Sequence, residues 1–96
     1  MDDFRRVISY QTQSLKLSQE MGDKNVEGLR LSQLGSSYFS LGDFSSSISY
    51  YEQAVKLDRV LGDQKSEYKN LHDLGHVYSH FGYFRRSISY IDQSLA

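Results

Sequence analysis

The sequence contains no cysteine, no proline and no tryptophan, and over 96 residues its 11 basic side chains nearly balance its 12 acidic ones. Each absence excludes something. Without cysteine there is no disulfide framework, no thiol nucleophile and no cysteine-ligated zinc. A net charge of −1 does not supply the concentrated basic surface that a phosphate backbone demands, so no nucleic-acid partner is expected. No apolar run approaches the roughly 18 residues of a membrane span, so no membrane association is expected. The opening Met1-Asp2-Asp3-Phe4 lacks the basic and apolar regions of a signal peptide, which places the chain in the cytoplasm as an expectation. No Gly-x-Ser-x-Gly elbow, no Gly-x-x-x-x-Gly-Lys loop and no His-Glu-x-x-His pair occurs, so neither an enzyme nor a cofactor is expected. What is present is 16 Ser, 8 Tyr, 5 Phe and 7 Gly. That aromatic content is too high for a disordered tail, and the length allows one domain.

The chain repeats itself. Shifted by 40 residues, positions 1–40 share 15 identities with 41–80, and the last 16 residues match the first 16 at nine positions. Chance predicts about three identities in the longer comparison, so the repeat organises the fold. Leu31, Leu34, Gly35 and Tyr38 return as Leu71, Leu74, Gly75 and Tyr78. Phe4, Ile8, Tyr10 and Gln13 return as Phe44, Ile48, Tyr50 and Gln53, then as Phe84, Ile88, Tyr90 and Gln93.

Each period carries two helical patterns. Leu31, Leu34, Tyr38 and Leu41 fall on one helix face, and Phe44, Ile48, Tyr51 and Val55 on another. Sustained period-two alternation is missing, which argues against strands. Gly22-Asp23, Gly42-Asp43 and Gly62-Asp63 punctuate the helices: glycine suits the left-handed residue that ends a helix, and aspartate caps the next. Glu27 and Glu67 follow in first turns, where the helix dipole favours negative charge. The expectation is an all-α chain of about five helices, over 2–21, 24–41, 43–61, 64–81 and 83–95.

The run Leu34-Gly35-x-x-Tyr38-x-x-x-Gly42-Asp43-Phe44-x-x-x-Ile48-x-Tyr50-Tyr51-x-x-Ala54 resembles a tetratricopeptide repeat, as does Leu74-Gly75-x-x-Tyr78-x-x-x-Gly82-Tyr83-Phe84-x-x-x-Ile88-x-Tyr90. The period of 40 exceeds the family's usual length of about 34, and the extra residues are expected at the Leu61-Gly62-Asp63 joint. This longer form is similar to the repeats of Leu-Gly-Asn-type polarity adaptors and of bacterial multi-repeat proteins. Ser47 and Ser87 stand where the family often has alanine. The resemblance implies a right-handed superhelix, an α-solenoid of antiparallel helix pairs. In these terms residues 1–21 are a half repeat, 22–61 one helix pair and 62–96 a second, together expected to be a piece of a longer array. Tyr38 and Tyr78 are expected to fill the space beside Gly35 and Gly75, whose cost mid-helix, up to ~1 kcal/mol against alanine, suggests close helix contact.

In the family, the first helix of each pair lines a concave groove that holds a peptide of a partner protein. The positions left after the core faces are assigned are Leu29, Ser32, Gln33, Ser36, Phe39 and Ser40 in the first pair, and Lys69, His72, Asp73, His76, Ser79 and His80 in the second. They are the candidate ligand-binding residues of a non-enzymatic interaction scaffold. Three histidines at i, i+4 and i+8 form one stripe, whose plain reading is a solvated face. They span about 12 Å, too far to share one ion, so a weak helix-surface metal site remains an alternative and no metal is expected. Were the stripe to hold an acidic partner, affinity would rise below about pH 6.5. A structural role, with homodimerisation through exposed terminal helices, is the other alternative. Arg5-Arg6 and Arg85-Arg86 read as surface basics, and Ser45-Ser46-Ser47 as a serine-rich helix start open to modification.

Overall fold

Three copies of one turn set the architecture. The computed structural model describes residues 2–80 and Gln93. At each turn a glycine has positive φ: 72° at Gly22, 80° at Gly42 and 69° at Gly62. At the middle turn the Asp43 amide donates to the Tyr38 carbonyl at 2.9 Å and the Gly42 amide to the Phe39 carbonyl at 3.0 Å. This crossed pair satisfies carbonyls that the helix end would otherwise strand. Asp43 Oδ1 then accepts from the Ser46 amide at 3.1 Å, which starts the next helix. Asp23 caps through Val26 at 3.2 Å and Asp63 through Ser66 at 3.1 Å. At Asp63 the hydrogen bonds from Ser66 hold the carboxyl below its ordinary range.

The turns separate α1 (Asp2–Met21), α2 (Lys24–Ser40), α3 (Phe44–Leu61) and α4 (Gln64–His80). The fold is an α-solenoid of antiparallel helices, with no strand among the described residues. Four helices are described. The fifth, expected over 83–95, lies outside the described residues except for Gln93, as do Tyr83, Phe84 and Arg85-Arg86. The joint expected to hold the extra length contains only Gly62 and Asp63, so the 40-residue period is long because its helices are, at 17 residues in α2 and 18 in α3.

Each helix in the middle of the stack serves two apolar clusters, as stacking repeats require. Leu15, Leu31, Leu34 and Ala54 join α1, α2 and α3. Ile48, Tyr51, Leu74, Val77 and Tyr78 join α3 and α4, with Phe39 and Phe44 against them. The close contact at Gly35 belongs to Tyr51 rather than Tyr38. A Cβ at Gly35 would lie 2.8 Å from Tyr51 Cδ2 and 2.9 Å from Cγ and Cε2. Tyr38 instead stacks on Tyr50, with centroids 5.5 Å apart and planes 6° from parallel. The reason is directional: one helix residue at i and another at i+3 share a face, whereas the neighbouring helix delivers its ring onto the glycine backbone.

Polar side chains tie the same helices. Ser47, fully buried, donates to the Gly35 carbonyl at 2.6 Å, so it is a latch between α2 and α3 and is closed to modification. Its neighbour Ser46 donates to Asp43 Oδ2 at 2.8 Å. Ser37 donates to Gln11 Oε1 at 2.9 Å and Arg30 Nε to Ser14 Oγ at 2.6 Å, fastening α2 to α1. Across the joints, Arg59 pairs with Glu67 at 2.7 Å, and Gln19, forty residues before Arg59, donates to Glu27 at 3.4 Å. The dipole-favoured glutamates thus also bridge back to the preceding helix. Among the described residues no helix is long and apolar enough to cross a membrane.

Candidate functional site

Placing α2 and α4 on the same side of α3 leaves two depressions between them. The first is a cleft of about 350 Å³ bounded by Ser36 and Phe39 of α2 and by Asp73, His76, Val77 and His80 of α4, with Tyr51 of α3 at its floor. Five of the twelve candidate residues, Ser36, Phe39, Asp73, His76 and His80, line it. The second, of about 170 Å³, lies nearer the joints and takes in Leu29, Ser32 and Lys69. Gln33, Ser40, His72 and Ser79 line neither cleft.

The floor of the larger cleft is closely packed. Tyr51 is 5% exposed because its ring lies on Gly35. Burial pushes its phenol up to about 12, with the Asp73 charge adding to the rise and a hydrogen bond to Ser36 opposing it. The rim is aromatic: Phe39 meets the His80 ring edge-on at 5.0 Å, and Phe44 packs on both, at 5.4 Å from Phe39 and 6.0 Å from His80. His80 Nδ1 lies 3.0 Å from the His76 carbonyl oxygen. Burial raises the Asp73 carboxyl above its ordinary value, against the lowering influence of Lys69, then His72 and His76.

The histidine stripe divides by role. His80 belongs to the aromatic rim. His72 stacks parallel to Tyr68 at 6.4 Å, and its Nε2 lies 3.2 Å from His76 Nε2. One of those nitrogens must carry the proton and the other accept it through its lone pair. His72 Nδ1 is buried without a partner. Among the described residues no group of three or more His, Asp or Glu side chains is placed to hold a metal ion.

The smaller cleft is floored by a polar chain that the sequence did not reveal. Asp58 and Asn70 are 4% and 2% exposed. Asn70 Nδ2 donates to Asp58 Oδ2 at 2.8 Å, and Ser32 Oγ donates to Asn70 Oδ1 at 2.9 Å. Three helices are joined through one amide. Burial raises the Asp58 carboxyl, and the Asn70 hydrogen bond opposes the rise. Ser32, proposed for the groove, is therefore already engaged. An aspartate and an asparagine twelve residues apart, each at a core position of its helix, were the available signal.

The 40-residue repeat of glycine-ended helix pairs, with a groove between alternate helices, has counterparts among known proteins. Residues 31–60 match the family model described as tetratricopeptide repeat. That stretch, from Leu31 in α2 to Val60 in α3, matches a tetratricopeptide repeat. No curated protein matches it in sequence. Its fold is similar to the crystal structure of a signal transduction ATPase with numerous domains, from Pyrococcus horikoshii, that has a tetratricopeptide repeat sensor. The TM-score is 0.88 at 24% identity, over 95% of this chain and 14% of that one. The present chain thus spans a small part of that protein's length. Tetratricopeptide repeats generally mediate protein–protein contact, and both clefts lie between α2 and α4.

Proposed function

We propose that the protein is a non-enzymatic interaction module that holds a peptide segment of a partner protein in the groove between α2 and α4. The observation that carries this reading is the larger cleft: an aromatic rim and a buried tyrosine floor beside a carboxylate and imidazoles. Apolar walls with a few polar groups are what a peptide side chain needs to be desolvated and oriented. Phe39 is the anchor of the apolar side, because its ring reaches from α2 to His80 of α4. Lys69 and Leu29 extend the surface toward the joints, with Ser32 and Asn70 closing the space between them.

A peptide library displayed on phage and selected on the unaltered chain tests the reading. Selected peptides should lose at least about tenfold in affinity, or roughly 1.4 kcal/mol, toward Phe39→Ala. Helicity of that variant by circular dichroism should be unchanged, since Phe39 is at the rim. Peptides that bind Phe39→Ala as well as they bind the parent chain place the binding surface elsewhere.

A second reading rests on α1. Phe4, Val7, Tyr10, Leu17 and Met21 are exposed along it, Tyr10 and Met21 at 72% each. Two copies of α1 set antiparallel would bring Phe4 against Met21 and Val7 against Leu17, which supports self-association through this helix. Sedimentation equilibrium of the parent and of Leu17→Glu decides it: a dimer lost in the variant supports the contact, and a monomer at all concentrations removes it.

A further inference from the structure

The larger cleft has one carboxylate in its lining, Asp73, and that carboxylate is half-buried. Among the described residues it makes no ion pair. Lys69, one turn earlier, is exposed and lines the other cleft. The repeat shows what this position can hold. Forty residues earlier stands Gln33, and its Oε1 accepts from Arg30 Nη1 at 2.9 Å. A guanidinium therefore occupies the acceptor at this register in the first copy. In the second copy the counterpart of Arg30 is Asn70, which is buried and turned to Asp58 and Ser32. The acceptor has become a full carboxylate while the arginine that would meet it has gone.

We propose that the cleft takes a basic side chain of the bound peptide, arginine above lysine, with its charged head on Asp73 and its methylene stem along Phe39 and Val77. The inference rests on the groove reading and names the ligand chemistry of that groove. A long basic side chain matches a site with apolar walls and one charged end, because its stem is apolar and its head is not. Arginine has the advantage of a planar fork that meets both carboxylate oxygens. The neighbouring helices bring no charge to the cleft: α2 contributes Ser36 and Phe39, and α3 contributes Tyr51, which stays neutral at physiological pH.

The charged and titratable groups facing Asp73 among the described residues are then Tyr51 on α3 and Lys69, His72, His76 and His80 on α4. Burial favours the protonated form of Asp73, and protonation removes the counter-ion of a basic ligand. Binding therefore weakens in acid, the opposite sign from that expected for an acidic partner on the histidine stripe.

Nuclear magnetic resonance titration of the ¹⁵N-labelled chain tests this. The probes are acetyl-Gly-Ser-Arg-Ser-Gly-amide and the same peptide with citrulline or glutamate in place of arginine. At pH 7.5 the arginine peptide should shift the amide signals of Phe39, Asp73 and Val77 and bind about tenfold more tightly than the neutral citrulline isostere. Asp73→Asn should erase that preference, and lowering the pH to 5.5 should reduce it. If that variant does not fold, the arginine–citrulline comparison on the unaltered chain still decides. Citrulline or glutamate peptides that shift the same signals with equal or higher affinity overturn the basic anchor and leave the groove standing. Absence of shifts at these residues with all three peptides at millimolar concentration overturns both.

Discussion

Helices α2 and α4 occupy equivalent places in consecutive repeats, yet they spend their side chains differently. In α2 the polar groups are engaged within the chain: Arg30 with Gln33 and Ser14, Ser32 with Asn70, Ser37 with Gln11. In α4 the same register carries Asp73 without an ion pair among the described residues, and the serines at 32, 36 and 40 are replaced by histidines at 72, 76 and 80. The two helices share leucine, glycine and tyrosine at 31, 34, 35 and 38 and at 71, 74, 75 and 78. The buried face is copied because its partners are copied. The outer face is free to vary, because solvent or a ligand imposes no internal constraint on it.

The largest break in this comparison is at the contact that packs α2 on α3. Tyr51→Ala should cost about 3–5 kcal/mol, as for other buried aromatic truncations. Gly35→Ala should cost about 1–3 kcal/mol, because its methyl would overlap the tyrosine ring. In a Tyr51→Leu background that penalty should fall toward zero or reverse, since alanine is the better helix former. Urea unfolding of the single and double variants measures the coupling, and equal costs of Gly35→Ala in both backgrounds would show that the ring is not its source.

Next comes the amide that joins α4 to the other two helices. Asn70→Ala should cost about 1–3 kcal/mol, since it leaves the buried Asp58 carboxylate without its donor. Asp58→Asn tests the charge separately. Burial raises the Asp58 carboxyl, so the folded chain binds this proton more tightly than the unfolded chain does. Its contribution to stability is therefore greatest below the ordinary value of 3.8 and is lost as the pH rises through the raised folded value. Asp73 acts in the same direction, also by burial. Unfolding followed between pH 4 and 7 should show a flatter pH dependence for Asp58→Asn than for the parent. An identical profile would mean that the carboxylate is solvated in the folded state.

The smallest effect should come from making α4 resemble α2 at the groove. Asp73→Gln should change stability by no more than about 0.5 kcal/mol, as a change on a partly solvated face. It should nevertheless abolish the preference for the arginine peptide. A loss of stability well beyond that figure would assign Asp73 to the fold rather than to a ligand.

Much of the fold was legible because repetition states each local rule several times. The Gly-Asp turns need no tertiary partner: a left-handed glycine and a capping carboxylate act within six residues, so Gly42 and Asp43 could be read directly. The pairing of Gly35 with Tyr51 was not legible, since a glycine announces a close approach without naming the side chain that makes it. Ser47 looked like a surface serine in a serine run, and only the neighbouring helix turned it into a buried latch. Asp58 and Asn70 were missed for the same reason: a polar residue at a core register is ambiguous until its partner is placed. At the groove, helical periodicity selected the outward positions but could not separate Ser36 and Phe39, which face α4, from Gln33 and Ser40, which line neither cleft.

By itself the sequence determined the helices, their turns and the stacking of their copied faces, because those follow from local propensity and short-range periodicity. The tertiary structure decided which side chains cross between helices: Tyr51 onto Gly35, Asn70 between Asp58 and Ser32, Phe39 against His80. Such contacts depend on the rotation and offset of one helix against the next, quantities fixed only when whole faces pack at once.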